Sequence, residues 1–178
     1  MTPRFGMIHG RFQPFHNGHW EYCRLALDRC ETLIIGITNP DPFQIAQEAT
    51  SDHRHLEASN PYTFFQRQRM IRAVLLDAGV LLERVIFIPF PVNLPDRWRY
   101  YVPSDAMQFV RVFSDWEQTK VDRLRKAGYQ VEVLTPGAEK AIEATEVRRR
   151  FTGSEDWREL VPAGAARVIE EIREESGT

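Results

Sequence analysis

Apolar residues fall along this chain in short unbroken runs, separated by stretches with a three- to four-residue period. Phe5-Gly6-Met7-Ile8, Leu33-Ile34-Ile35-Gly36-Ile37 and Val85-Ile86-Phe87-Ile88 are runs of the first kind, and Phe109–Phe113 and Tyr129–Leu134, interrupted by Arg111 and by Gln130 and Glu132, read as two more strands. Unbroken runs of this length suit strands covered on both faces, as in a parallel sheet. Between them, Trp20, Cys23, Leu27 and Cys30 recur at helical spacing and predict a helix over 18–29 with Asn17 as N-cap. A second helix is predicted over 63–78, stopped by Gly79, with Ile71, Val74, Leu75 and Ala78 buried and Arg67, Arg69 and Arg72 on other faces. Further helices are predicted over 117–127, 145–151, 156–160 and 163–174. Strands alternating with helices imply an α/β, doubly wound parallel sheet of about five strands. In such sheets ligands bind at the carboxyl ends of strands, where the winding reverses.

Two stretches carry no such period. Residues 39–61 form a long polar segment with His53 and His55, and residues 89–95 are rich in proline. A loop as long as the first is read either as solvated surface or as a lid that closes over substrate.

Composition narrows the class. A chain of 178 residues is read as a single domain over 1–178, with a helical cap from about 154. Hydrophobic content of 43% and charged content of 27% are ordinary for a globular protein, and the net charge of −2 gives no bulk attraction for nucleic acid. No apolar run approaches the length of a membrane span and no signal segment opens the chain, so the expectation is a soluble, unexported, cytoplasmic protein without a membrane partner. Cys23 and Cys30 on one helix would lie about 10 Å apart, too far for a disulfide.

The chemistry concentrates in Gly10-Arg11-Phe12-Gln13-Pro14-Phe15-His16-Asn17-Gly18-His19, a predicted strand-to-helix turn. Backbone N–H groups and the positive end of a helix dipole converge there, which suits a phosphate. His16 and His19, three apart, can face one side. They can be read as a metal pair completed by His53 or His55, as two structural histidines, or as donors to phosphate oxygens helped by Arg11. No Asp or Glu sits beside them at ligand spacing, which disfavours the metal. We adopt the phosphate reading. The turn is neither a Walker loop nor a dinucleotide fingerprint.

This decapeptide resembles the HxGH turn of the nucleotidylyltransferase superfamily, in the Arg-Phe-Gln-Pro form of archaeal-type nicotinamide-mononucleotide adenylyltransferases. Three further stretches match in order: Asn60-Pro61-Tyr62-Thr63 with Arg67, Ile142-Glu143-Ala144-Thr145-Glu146-Val147-Arg148, and Asp156-Trp157 with Leu160-Val161-Pro162. The resemblance implies a Rossmann-like nucleotidylyltransferase fold and an enzyme that moves a nucleoside monophosphate from a triphosphate to a small phosphorylated acceptor, with pyrophosphate leaving. It implies catalytic roles for His16, His19, Arg11 and Arg148, and nucleotide contacts from Gly10, Phe12, Gly18, Thr145 and Glu143. Arg67 would reach the acceptor's phosphate, with Trp98 as core or as an aromatic wall. Mg²⁺ would be carried by the triphosphate and need no protein ligands. The family's members often form oligomers, so a homo-oligomer fits the resemblance.

Departures cluster where substrates would be chosen. Glu143 stands in place of the family's serine near the triphosphate. A carboxylate about 4 Å from a phosphate charge costs about 4 kcal/mol at an effective dielectric of 20. Gln66 replaces a Glu, Pro91-Val92-Asn93-Leu94-Pro95 replaces Pro-Asp-Ile-Asn, Asp115-Trp116 replaces Gly-Asn, and His9 holds a position usually apolar. A smaller acceptor would not need a pocket for ribosyl-nicotinamide and could be met by Asp115, His9, His53 and His55 instead. The sequence therefore leans to CTP-dependent cytidylyl transfer to a small phosphonate, with ATP-dependent adenylylation of nicotinamide (or nicotinate) mononucleotide as the alternative and a non-catalytic nucleotide-binding regulator as a remote one.

Overall fold

The computed structural model describes residues 1–41, 60–113, 115–134 and 143–177. Five strands, β1 (Phe5–Gly10), β2 (Thr32–Thr38), β3 (Val85–Phe90), β4 (Met107–Arg111) and β5 (Val131–Leu134), form one sheet in the order β3-β2-β1-β4-β5. All four neighbouring pairs are parallel. The helices are α1 (Asn17–Leu27), α2 (Phe64–Asp77), α3 (Asp115–Lys126), α4 (Ala144–Thr152) and α5 (Ala163–Ser176). The fold is thus the expected α/β, doubly wound parallel sheet.

Alternation along the strands builds two cores. Ile8, Leu33 and Ile35 face one cluster with Phe15, Cys23, Ile71, Leu75 and residues of α5. Met7 and Ile34 face the other, with Phe90, Trp98, Val121, Leu124 and Tyr129. On the first side α5 lies against α2, and Gly164 lets them approach. A Cβ at Gly164 would fall 2.8 Å from the Ala73 carbonyl carbon. Gly164→Ala is therefore expected to cost about 1–3 kcal/mol in urea unfolding, by forcing two packed helices apart.

The winding reverses between β1 and β4. The β1–β2 ladder runs from Phe5–Thr32 to Gly10–Ile37. The β1–β4 ladder pairs only Gly6 with Met107 and Met7 with Gln108. Beyond Met7 the two central strands part, and the Tyr22 hydroxyl of α1 donates to the Phe109 carbonyl there. This opening at the carboxyl end is the place where ligands bind in sheets of this class.

Element limits differ from the sequence reading for physical reasons. β4 is displaced to 107–111 from the expected 109–113 because it contains Gln108, a buried polar residue whose amide donates to the Ala106 carbonyl. β3 continues through Pro89 and Phe90, which is tolerated because β3 is an edge strand and Pro89 needs no outer partner. The cap of α1 is His16, not Asn17. On α2, Ala78 is exposed, whereas Arg67 and Met70 join the buried face. The 156–160 helix is only a 3-10 turn, Arg158–Leu160, and a further 3-10 segment, Pro95–Tyr100, follows β3. Cys23 and Cys30 are both free and buried. No helix among the described residues is long and apolar enough to cross a membrane.

Candidate active site

The turn from β1 into α1 holds its two histidines against each other. His16 is the N-cap, and its Nδ1 accepts the His19 backbone N–H at 3.3 Å, while the His16 N–H reaches the Nδ1 of His19 at 3.4 Å. This is a capping box built from two imidazoles instead of Ser and Glu. The rings stack 3.6 Å apart at 22°. Since each Nδ1 accepts, the proton of a neutral ring sits on Nε2. Phe12 lies edge-on to His19 at 5.0 Å, and Phe15 stacks on it at 5.7 Å. Burial pushes the pKa of His19 well below the usual histidine value, and the charges at His16, Arg111 and Arg11 push the same way against the Pro14 carbonyl. His19 is thus held as a neutral, oriented N–H donor at a helix N-terminus.

Main-chain geometry serves the same end. Phe12 takes a left-handed φ of 53°, a conformation disfavoured for a bulky residue, and is buried. Its ring leaves no room for a side chain at Gly10, where a Cβ would lie 2.9 Å from it. The Gln13 side chain pairs with the backbone of Tyr62 in both directions, at 2.8 and 2.9 Å. Gln13 thereby stitches the turn to the segment before α2.

A second helix N-terminus joins from α4. Arg148 donates to the Gln13 carbonyl at 2.6 Å and to the Thr145 hydroxyl at 3.3 Å. Its neighbours are otherwise engaged. Arg149 is tied to Glu146 and Glu155, and Arg150 to Glu146 and Glu159. Of the three consecutive arginines, Arg148 alone lies on the histidine turn. Glu143 is the N-cap of α4, exposed, and its side chain does not cap the helix. Thr145 is exposed two residues further on.

Arg67 is placed differently from the sequence expectation. Only 1% exposed, it donates to the carbonyls of Thr63, Arg11, Thr38 and Asn39 at 2.7–3.2 Å. A guanidinium has five N–H donors, so nearly all of its capacity goes to main chain, at the carboxyl ends of β1 and β2 and at Thr63 before α2. Burial lowers its pKa to about 10, still well above neutrality. Arg67 braces the turn, its guanidinium engaged by main-chain carbonyls where the sequence reading expected an acceptor's phosphate. Arg67→Met is expected to cost more than about 3 kcal/mol in urea unfolding, because it strands several carbonyls without donors. A direct acceptor contact would instead raise the acceptor KM at unchanged stability.

Trp98 is also core, 2% exposed, with its indole N–H on the Pro91 carbonyl and its ring near Phe90. Asp115 is exposed at the first turn of α3, beyond the end of β4. His53 and His55 lie outside the described residues. The sequence reading passed over two further basic residues. Arg111, at the end of β4, donates to the Gly18 carbonyl at 2.8 Å and pairs with Glu21 at 3.2 Å, so it ties β4 to the first turn of α1. Lys120, on α3, is near enough to His9 to lower its pKa together with burial, which is the larger cause. His9 is 3% exposed, and among the described residues neither ring nitrogen has a hydrogen-bond partner. Each such buried group costs about 1–3 kcal/mol.

Among the described residues there is no group of three or more His, Cys, Asp or Glu that could hold a metal ion. The turn offers N–H donors and cations instead, a set suited to an anion and to a metal carried in by that anion.

Comparisons with known proteins identify the relatives of this chain. Residues 7–86 match the family model described as cytidylyltransferase-like. The chain is 44% identical to phosphonoformate cytidylyltransferase of Streptomyces viridochromogenes, over 93% of this chain and 90% of that protein. It is 34% identical to nicotinamide-nucleotide adenylyltransferase of Thermococcus onnurineus, over 96% of this chain and 84% of the relative. A bifunctional NMN adenylyltransferase/ADP ribose pyrophosphatase from Francisella tularensis shares the fold, with a TM-score of 0.68 at 21% identity over 89% of this chain. The chain spans 45% of that solved protein, so the likeness concerns one part of it.

Proposed function

The chain belongs to the cytidylyltransferase-like family of nucleotidyltransferases, and from that premise we propose that it transfers CMP from CTP to a phosphonate oxygen of a small metabolite. The observation that carries this reading is the paired-imidazole cap of α1, with Arg148 of α4 laid on the same turn. A phosphonate oxygen is already ionised at neutral pH and attacks the α-phosphorus directly. A P–O–P anhydride forms, the bridging bond to the β-phosphate breaks, and pyrophosphate carries the charge away. No general base is needed, and what must be supplied is orientation and charge.

The chain's residues are disposed for that task. His19, through Nε2–H, and the N-terminus of α1 with Gly18 take the α-phosphate oxygens. Gly10 gives the backbone close approach, and Phe12 keeps the His19 ring in place. His16 holds His19 and shares the triphosphate, with Arg11 at the transferring centre. Arg148 and Thr145 take the β- and γ-phosphates, and Glu143 borders them where it can face solvent. Mg²⁺ bound to the triphosphate would neutralise charge on the leaving pyrophosphate. Asp115 and His9 border the acceptor. Phe90, Trp98 and His9 fill the space beside β1 with buried rings, which supports a compact acceptor over a ribosyl-nicotinamide.

The test is a screen of the four ribonucleoside triphosphates with Mg²⁺ against phosphonoformate, other small phosphonates and nicotinamide mononucleotide, read by pyrophosphate release. Release with CTP and a phosphonate is the expected result. Release with ATP and nicotinamide mononucleotide alone would replace this reading with the adenylyltransferase one.

A further inference from the structure

Arg148 is oriented without being neutralised. Its Nη1 donates to the Gln13 carbonyl at 2.6 Å and its Nη2 to the Thr145 hydroxyl at 3.3 Å, both uncharged acceptors. Among the described residues no carboxylate pairs with it, whereas Arg149 and Arg150 beside it are each held by two. A carboxylate could aim a guanidinium equally well, but it would offset the charge that a triphosphate needs. A main-chain carbonyl aims it and leaves the charge in place. These bonds engage two of the five N–H groups of the guanidinium, and the others remain to meet phosphate oxygens.

The aim is as firm as the Gln13 carbonyl itself. The Gln13 side chain, 1% exposed, fixes that carbonyl. Its Nε2 donates to the Tyr62 carbonyl at 2.8 Å, and its Oε1 accepts the Tyr62 N–H at 2.9 Å. Two bonds in opposite directions set the plane of the amide as well as its position. The partner is rigid in turn. Tyr62 stands one residue before Thr63, the N-cap of α2, whose capping box with Gln66 closes through bonds of 3.0 and 3.2 Å. Two residues upstream of Gln13, the Arg11 carbonyl is held by Arg67 of the same helix. The start of α2 thus grips the main chain at residues 11 and 13, and residue 13 receives Arg148 of α4. Packing alone would accept an apolar side chain at this buried position. We propose that Gln13 is a positioning residue for the triphosphate: its amide, locked on Tyr62, sets the carbonyl that aims Arg148 at the β- and γ-phosphates. Gln13 itself touches no substrate. The inference rests on the assignment of Arg148 to the triphosphate and adds a residue that acts through it.

A double-mutant cycle tests this. Gln13→Met keeps the length and bulk of the side chain and removes both bonds to Tyr62. With CTP varied at saturating phosphonoformate and Mg²⁺, it is expected to lower kcat/KM for CTP at least about tenfold, while the phosphonoformate KM stays within about twofold. In an Arg148→Ala background the same substitution should change kcat/KM for CTP by less than about twofold, because the group it positions is gone. A purely structural Gln13 would lower activity by the same factor in both backgrounds. That result overturns the inference and leaves nucleotidyl transfer standing. Gln13→Glu retains the acceptor for the Tyr62 N–H and loses the donor to its carbonyl, so it enters the same cycle should Gln13→Met not fold. Its loss is likewise expected to vanish without Arg148. Failure of both variants to fold makes the pair with Tyr62 a requirement of the fold and overturns the inference. Wild-type enzyme that releases pyrophosphate with ATP and nicotinamide mononucleotide, and not with CTP, refutes the cytidylyl reading alone. The cycle then reads kcat/KM for ATP, with the same two outcomes for Gln13. Enzyme silent with every triphosphate refutes both.

Discussion

Replacing His19 with alanine is expected to lower turnover by at least about a hundredfold, the usual cost of removing one donor to a developing charge. Three features make the effect this large. The ring is fixed by Phe12, Phe15 and His16 on separate sides. Its Nδ1 takes the His16 N–H, which leaves Nε2–H as the donor. Burial and the neighbouring cations keep it neutral, so the donor persists as pH falls through the ordinary histidine range. Wild-type turnover should therefore show no loss from His19 protonation between about pH 7 and pH 6. Far-UV circular dichroism and the thermal midpoint of His19→Ala should report an intact fold. Turnover near the wild-type rate would remove His19 from the mechanism.

Arg148→Ala should follow closely, with a loss of about a hundredfold in kcat/KM for the triphosphate. The contrast with its neighbours is the informative part. Arg149→Ala and Arg150→Ala break exposed pairs with Glu146, Glu155 and Glu159. Exposed pairs of this kind contribute about 0–1 kcal/mol each, so both variants should stay within about threefold of wild type. Equal losses at all three positions would indicate that a general positive field, and not the placement of one guanidinium on the histidine turn, binds the triphosphate. Steady-state kinetics with CTP varied at saturating acceptor separate the two.

The layered architecture was legible because short apolar runs such as Leu33–Ile37, alternating with helical stretches, read as strands of a covered sheet, although at β3 Ile86 is left 43% exposed. The histidine turn was legible because its residues are consecutive. The remainder depended on facts that spacing does not carry. Arg67 reads as one more cation on an amphipathic helix. Its burial follows from four carbonyls delivered by three separate segments, which no single stretch of sequence reveals. Trp98 could be wall or core by its position after the proline-rich segment, and only its indole bond to Pro91 fixes it inside. Arg111 and Lys120 ended a strand and rode a helix without any motif. Asn17 reads as a better cap than His16 by residue type, yet the two histidines cap each other. His9 did signal itself, as a polar residue in an otherwise apolar strand. The signal located a buried polar position without naming its partner.

The central claim is that the turn at Gly10–His19 moves CMP from CTP onto a phosphonate oxygen. It is tested most directly by ³¹P NMR of the enzyme incubated with CTP, Mg²⁺ and phosphonoformate. The account predicts a pair of mutually coupled phosphorus resonances, one from a phosphonate and one from a phosphate, growing in step with pyrophosphate. Pyrophosphate that accumulates only with ATP and nicotinamide mononucleotide, with no coupled phosphonate signal from CTP, would contradict it.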